Sequence, residues 1–177
     1  MRATERVDMQ TEEQLVAELG RLGVRYLSQH SPNNAQFEHT PHELMARLVC
    51  QPSSRVRSAL IALLLARPDY ARHVRLALKR LNQSDAQRLR FFYSAAVILQ
   101  QQYAEILRAA LGANWCELPD LFAGELGVSG DSPAARLQEL GRLQAQWSGE
   151  NLNWAGTYEN AARQLVSRWE SEQKWKA

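Results

Sequence analysis

Ala59-Leu60-Ile61-Ala62-Leu63-Leu64-Leu65-Ala66 is the stretch whose reading decides the fold. A helix built from it has no face left for water, so it must sit at the centre of a core with other elements packed all round it. Eight residues are far short of the roughly 20 apolar residues a membrane-spanning helix needs. Arginines bracket the run at Arg57 and Arg67. On the N-terminal side, Gln51-Pro52 stops one helix and Ser53 or Ser54 caps the next. On the C-terminal side, Pro68 opens a further segment carrying Tyr70, Val74, Ala77, Leu78 and Leu81.

Working outward, helix signals recur along the chain. Thr11 with Gln14 forms a capping box, and Leu15, Leu19, Leu22 and Tyr26 follow at helical spacing until Ser31-Pro-Asn-Asn34. Thr40, Pro41 and Glu43 give a cleaner start for a helix through Val49. Ser84 with Gln87 opens a long segment reaching Leu111, its stripe running from Leu89 through Phe92, Tyr93 and Leu99 to Leu107, with Gly112 as a left-handed terminator. A short helix is expected within 118–126 after Pro119. Ser132-Pro133 starts the next helix, and a last one carries Trp154, Tyr158, Leu165 and Trp169 on one face. No segment alternates long enough to read as a strand.

The expectation is an all-α, compact single-domain bundle of about six to eight helices, with no sheet. Residues 1–10 are read as a flexible N-terminus, 11–170 as the helical domain and 171–177 as a frayed end. A chain of 177 residues is long enough to bury a core without disulfides or metals. Cys50 and Cys116 read as plain thiols. The first ten residues lack the apolar core of a secretory signal, so a cytoplasmic protein is expected. Two echoes, Val56-Arg-Ser-Ala-Leu60 with Val74-Arg-Leu-Ala-Leu78 and Glu18-Leu-Gly-Arg-Leu22 with Glu139-Leu-Gly-Arg-Leu143, are read as composition rather than as a solenoid repeat.

Charge supplies the functional lead. Residues 55–111 hold ten Lys and Arg against three Asp and Glu, a net +7, while the flanks carry −2 and −3 within a whole-chain +2. On one helix Arg72, Arg75 and Lys79 would share a face. Arg55 and Arg57 start the preceding helix, and Arg88 and Arg90 open the following one. If adjacent helices pair antiparallel, these ends gather into one patch. The sequence therefore points to a non-catalytic binding or regulatory module. Its partner would be an acidic protein held by Arg55, Arg57, Arg72, Arg75, Lys79, Arg88 and Arg90. RNA on the same patch is the alternative, although Phe92, Tyr93 and Tyr103 fall on the apolar stripe rather than forming stacking platforms. Self-association through an amphipathic helix is a further option, and no membrane partner is expected.

Catalytic constellations are weak. Glu38-His39-Thr40-Pro41-His42-Glu43 gathers two His and two Glu, but His39 precedes the cap, Glu43 reads as the capping residue, and the His-Glu-x-x-His spacing of zinc helices is absent. Arg25-Tyr-Leu-Ser-Gln-His30 and Arg67-Pro-Asp-Tyr-Ala-Arg-His73 resemble in spacing the Arg, four to six residues, His motif of the HEPN ribonucleases, which are small helical bundles. That resemblance implies RNA cleavage at His30 or His73. The family's polar residue after the arginine is here Tyr26 or Pro68, and about one such spacing arises by chance in a chain with this many Arg and His. Gly124, Gly127 and Gly130 follow no strand and read as a connector rather than a phosphate loop. No cofactor and no metal is called for. All five tryptophans lie from Trp115 onward, towards the C-terminal end. Trp147, Trp154 and Trp169 are read as core anchors, and Trp115 and Trp175 are left unassigned.

Overall fold

A computed structural model of the chain describes residues 2–28 and 39–176, with side chains from Glu12 onward. The expected helix stop at Ser31-Pro-Asn-Asn34, together with His30 and Glu38, lies outside the described residues. Among those described there are nine α-helices and no strand. They are α1 Arg2–Arg21, α2 Pro41–Val49, α3 Ser54–Ala66, α4 Val74–Leu78, α5 Gln83–Gln102, α6 Ala104–Leu111, α7 Ala123–Leu126, α8 Pro133–Ser148 and α9 Trp154–Lys176. The all-helical bundle expected from the sequence is the fold observed. No described helix is long and apolar enough to cross a membrane.

The apolar run sits where its composition requires. Every residue from Ala59 to Leu65 is fully buried, because α1, α2, α5, α6, α9 and the 3-10 turn Pro68–His73 pack around α3. Leu60, Ile61, Leu63, Leu64 and Leu65 alone withdraw five large aliphatic side chains from water, each worth about 1.5–3 kcal/mol. The sequence presents α5 as a one-sided stripe, yet Phe91 through Gln100 are all buried. The reason is position. α3 lies against α5 and so does α8, and small Ser94, Ala95 and Ala96 let both approach.

Local signals placed most starts correctly. Ser53 caps α3 by accepting from the Val56 amide, and Ser132 caps α8 by accepting from Ala135. Thr40 and Glu43 form the capping box of α2, with the Thr40 amide and hydroxyl donating to Glu43 Oε2 at 3.1 and 2.9 Å.

Five boundaries differ. α1 runs through Thr11 from Arg2, since nothing in 2–10 is Gly or Pro to stop it. α9 likewise continues through the helix-forming Glu170–Lys174 to Lys176. Asn82, not Ser84, caps α5, its Oδ1 accepting from the Asp85 amide at 2.8 Å. The long helix expected to reach Leu111 breaks at Tyr103 (φ −105°, ψ 20°), and Leu107 on the re-aimed α6 is buried. Gly112 does end α6 at positive φ, 54°, but with ψ −121° it lies outside the left-handed helical region.

The fifth difference lies in the short helix expected within 118–126, which is confined to Ala123–Leu126 and is preceded by a helix-free strap over 115–121. Gln100 spans it from the core: Nε2 donates to the Cys116 carbonyl at 2.9 Å and Oε1 accepts from the Leu118 amide at 2.8 Å. The Tyr93 hydroxyl donates to the Pro119 carbonyl at 2.8 Å. These bonds replace the ones a helix would have supplied, and only the four residues of α7 follow.

Candidate functional site

The seven cations expected to gather into one patch separate by what holds them. Arg55 Nη2 donates to the Tyr26 carbonyl at 3.2 Å. Arg57 Nη1 donates to the carbonyls of Gln51 and Pro52 at 2.7 and 2.6 Å, filling acceptors where α2 has ended. Arg88 Nη1 bonds the Val49 carbonyl at 3.3 Å, the last residue of α2, and Asp85 Oδ1 at 2.6 Å. Arg90 lies 3.3 Å from Glu125 Oε1 and over the Phe122 ring. Arg57, Arg88 and Arg90 are thus engaged inside the molecule, the first two at carbonyls where α2 has ended, while Arg55 stays exposed with one carbonyl bond.

Arg72, Arg75 and Lys79 are different. All three are exposed, and among the described residues none has a carboxylate partner. The only bond any of them makes is from Arg72 Nε to the Asp69 carbonyl, 3.2 Å. They do not lie on one regular helix as the sequence suggested: Arg72 belongs to the 3-10 turn, Arg75 to α4, and Lys79 is its C-cap. Pro68 causes this, because it sets a tight turn before α4 can begin. The three nevertheless accompany Leu76, a leucine 46 % exposed. Beside them Arg72 and Arg75 line a groove of about 320 Å³ with Cys116, Pro119 and Leu121. Its two acids are already occupied. Asp69 takes a two-pronged bond from Arg67 at 3.0 and 2.9 Å, which holds its carboxyl below the usual range, and Glu117 lies 3.6 Å from Arg108.

A second concavity, a cleft of about 700 Å³, lies where the start of α3, the start of α5 and the end of α8 meet. Arg57, Ser84, Arg88, Gln144, Trp147, Glu150 and Trp154 are among its walls. Burial and the neighbouring Arg88 charge pull the Arg57 pKa below its ordinary value. Gln144 is 1 % exposed and Trp154 6 %, so they form the floor. Gln144 Oε1 accepts from the Tyr158 hydroxyl. Gln144 Nε2 and Trp154 Nε1 are buried with no acceptor among the described residues. Trp147, read from the sequence as a core anchor, instead packs against Phe91 with ring centroids 5.6 Å apart and stays 39 % exposed at the cleft. Sequence reasoning missed this cleft because its walls come from three distant segments. The one local clue was a tryptophan just before the Gly149 that ends α8.

The histidines diverge. His39 Nδ1 lies 2.7 Å from Glu18 Oε2 on α1, and the His39 amide donates to Glu18 Oε1 at 3.2 Å. His42 turns instead to Thr40 Oγ1 and to Arg80 Nη1, at 3.2 and 3.3 Å. No cluster of three or more metal-ligating side chains occurs among the described residues. Arg67 and His73 sit at opposite ends of a 3-10 turn, and Arg67 is held by Asp69 and over the Tyr70 ring. The Arg25–His30 spacing ends outside the described residues. Among the other tryptophans, Trp154 is buried as expected, Trp169 Nε1 donates to the Gly23 carbonyl at 3.0 Å, and Trp115 lies under Arg108. Trp175 is 91 % exposed near the end of α9.

The chain is an all-helical bundle with three exposed cations on and beside α4 and a cleft lined by arginine and tryptophan. Comparison with protein-family models, curated proteins and solved structures finds no match to this chain.

Proposed function

We propose that the protein is a non-catalytic binding or regulatory module that engages an acidic segment of a partner protein on Arg72, Arg75 and Lys79. The observation that carries this is that, among the described residues, exposed Arg75 and Lys79 make no hydrogen bond or ion pair and exposed Arg72 makes one, to a carbonyl, side by side on and beside α4, whereas Arg57, Arg88 and Arg90 are held by carbonyls or carboxylates and Arg55, exposed with one carbonyl bond, stands on another helix. A guanidinium clamped to its own carbonyls offers a ligand only its remaining N–H groups, whereas an unpaired surface cation steers and holds an anion with all of its donors. Leu76 at 46 % exposure supplies an apolar contact amid the cations, a combination suited to an acidic segment bearing a hydrophobic anchor. RNA is the weaker occupant of this face, because Phe92 and Tyr93 are buried and offer no base a stacking surface.

The test uses the protein as bait beside an Arg72→Glu/Arg75→Glu/Lys79→Glu variant, with nuclease-treated extract and helicity checked by circular dichroism. The wild type should enrich an acidic protein that the helical variant loses and that rising salt releases. Equal capture by both baits, or capture that depends on nucleic acid, overturns the proposal.

A further inference from the structure

The cleft at the start of α5 stands apart from the basic face and from the partner reading, and its chemistry is different. Its walls are rich in donors. Arg57 and Arg88 are each clamped through Nη1 alone, which leaves Nε and Nη2 of both without a partner among the described residues. The first-turn amides of Gln83 and Ser84 have no intrahelical acceptor, because Asn82 caps only Asp85. Those amides carry the positive end of the α5 dipole. Gln144 Nε2 and Trp154 Nε1 add two buried donors lacking acceptors. Both nitrogens lie sealed beneath the floor, so the donors a ligand meets are the two guanidinium edges and the first-turn amides of α5.

The remaining walls limit what that ligand is. Trp147 presents an indole 39 % exposed, a surface on which a flat ring stacks. Glu150 is exposed and makes no close ion pair among the described residues, its charge acting on Arg57 from a distance, so its carboxylate is free to accept hydrogen bonds from a ligand's amino or hydroxyl groups. A bare inorganic anion would leave the indole and Glu150 unused, and a simple hydrocarbon would leave the donors unmatched. At about 700 Å³ the space is that of a small-molecule site, which typically spans roughly 300–1,000 Å³.

We infer that this cleft binds a nucleoside phosphate, with the phosphate between Arg57, Arg88 and the first turn of α5 and the base against Trp147. Glu150 meets an exocyclic amine or a ribose hydroxyl. The multi-oxygen phosphate matches the two guanidinium forks better than a single carboxylate can.

Isothermal titration calorimetry with the four nucleoside 5′-monophosphates, the four nucleosides and inorganic phosphate tests this. At least one nucleotide should bind on the order of tenfold more tightly than both its nucleoside and inorganic phosphate. Ser84→Glu is the decisive variant. An acid in the first turn suits the helix dipole, so α5 is kept, while its charge repels the phosphate. It should weaken nucleotide binding by about tenfold or more with thermal unfolding unchanged or higher, and Trp147→Ala should weaken it while leaving phosphate alone unaffected. The Arg72/Arg75/Lys79 reversal should leave nucleotide binding intact, which separates this site from the partner face. No nucleotide heat at millimolar concentration, phosphate binding as tightly as nucleotide, or binding that survives Ser84→Glu would each overturn the assignment.

Discussion

The α4 face and the cleft at α5 draw on the same arginine-rich segment and use it in opposite ways. At the cleft, Arg57 and Arg88 reach back to the carbonyls of Val49, Gln51 and Pro52, closing the junction where α2 ends and α3 begins. On the α4 face Arg72 bonds only the Asp69 carbonyl, and Arg75 and Lys79 bond nothing among the described residues, even though Lys79 stands at the C-cap of α4. The lesson is that net charge along a sequence is not a surface potential. An arginine close to a helix C-terminus is drawn to the carbonyls and negative dipole end it finds there. One that meets only helix sides remains available to a partner.

That contrast breaks most visibly in stability. Arg88→Ala strips a charged donor from the Val49 carbonyl and leaves Asp85, mostly buried, without its 2.6 Å partner. Urea unfolding should show a loss of about 2–3 kcal/mol. A loss below about 0.5 kcal/mol would mean that Arg88 is as free as Arg75, and the distinction between the regions would fail.

Next in size is Gly141→Ala. A Cβ there would stand 2.8 Å from the Ala155 nitrogen, where α8 and α9 come closest. Alanine favours helix by roughly 1 kcal/mol over glycine, but overpacking of this kind costs about 1–3 kcal/mol. The expected outcome is a net loss of about 1 kcal/mol, with partner capture on the α4 face untouched. A stabilised Gly141→Ala would show that the two helices separate easily. The triple reversal of Arg72, Arg75 and Lys79 should shift unfolding by less than about 1 kcal/mol, because no side-chain ion pair is lost with it.

Much of this architecture is written in local sequence. The run Ala59–Ala66 announces its own burial, and Ser53, Thr40 and Ser132 mark helix starts because a short side-chain acceptor before an apolar period has few other uses. What escaped is set by long-range partners. Nothing near Gln100 reveals that its amide holds the backbone of Cys116 and Leu118, so 118–126 reads as one short helix when only Ala123–Leu126 is helical and the residues before it form a strap. The basic patch failed for a related reason: Arg57 and Arg88 look as free as Arg72 until the carbonyls of 49–52 are placed beside them. Asn82 was legible and was overlooked in favour of the Ser84–Gln87 pair, although asparagine caps as well as serine.

The smallest expected effect tests the engaged side alone. Cys50 Sγ donates to Asp85 Oδ2 at 3.5 Å, behind the Asp85–Arg88 pair. Burial, then the Asp85 charge and hydrogen bond, push the Cys50 thiol up from 9.0 to about 11, against an opposing pull from Arg88. Because the folded value is the higher one, the stability this thiol contributes is present below pH 9 and is lost as the pH rises towards 11. Thiolate is the reactive form, so native Cys50 should alkylate slowly at neutral pH. Asp85→Asn removes the charge that opposes ionisation, leaving burial set against the pull of Arg88, and should speed Cys50 alkylation roughly several-fold. Cys116, which lines the groove beside Arg72 and Arg75, should keep its rate in that variant. If both thiols accelerate together, the substitution has loosened the whole bundle. If Cys50 alone does, the Cys50–Asp85–Arg88 chain is a local device of the cleft side, electrically separate from the α4 face.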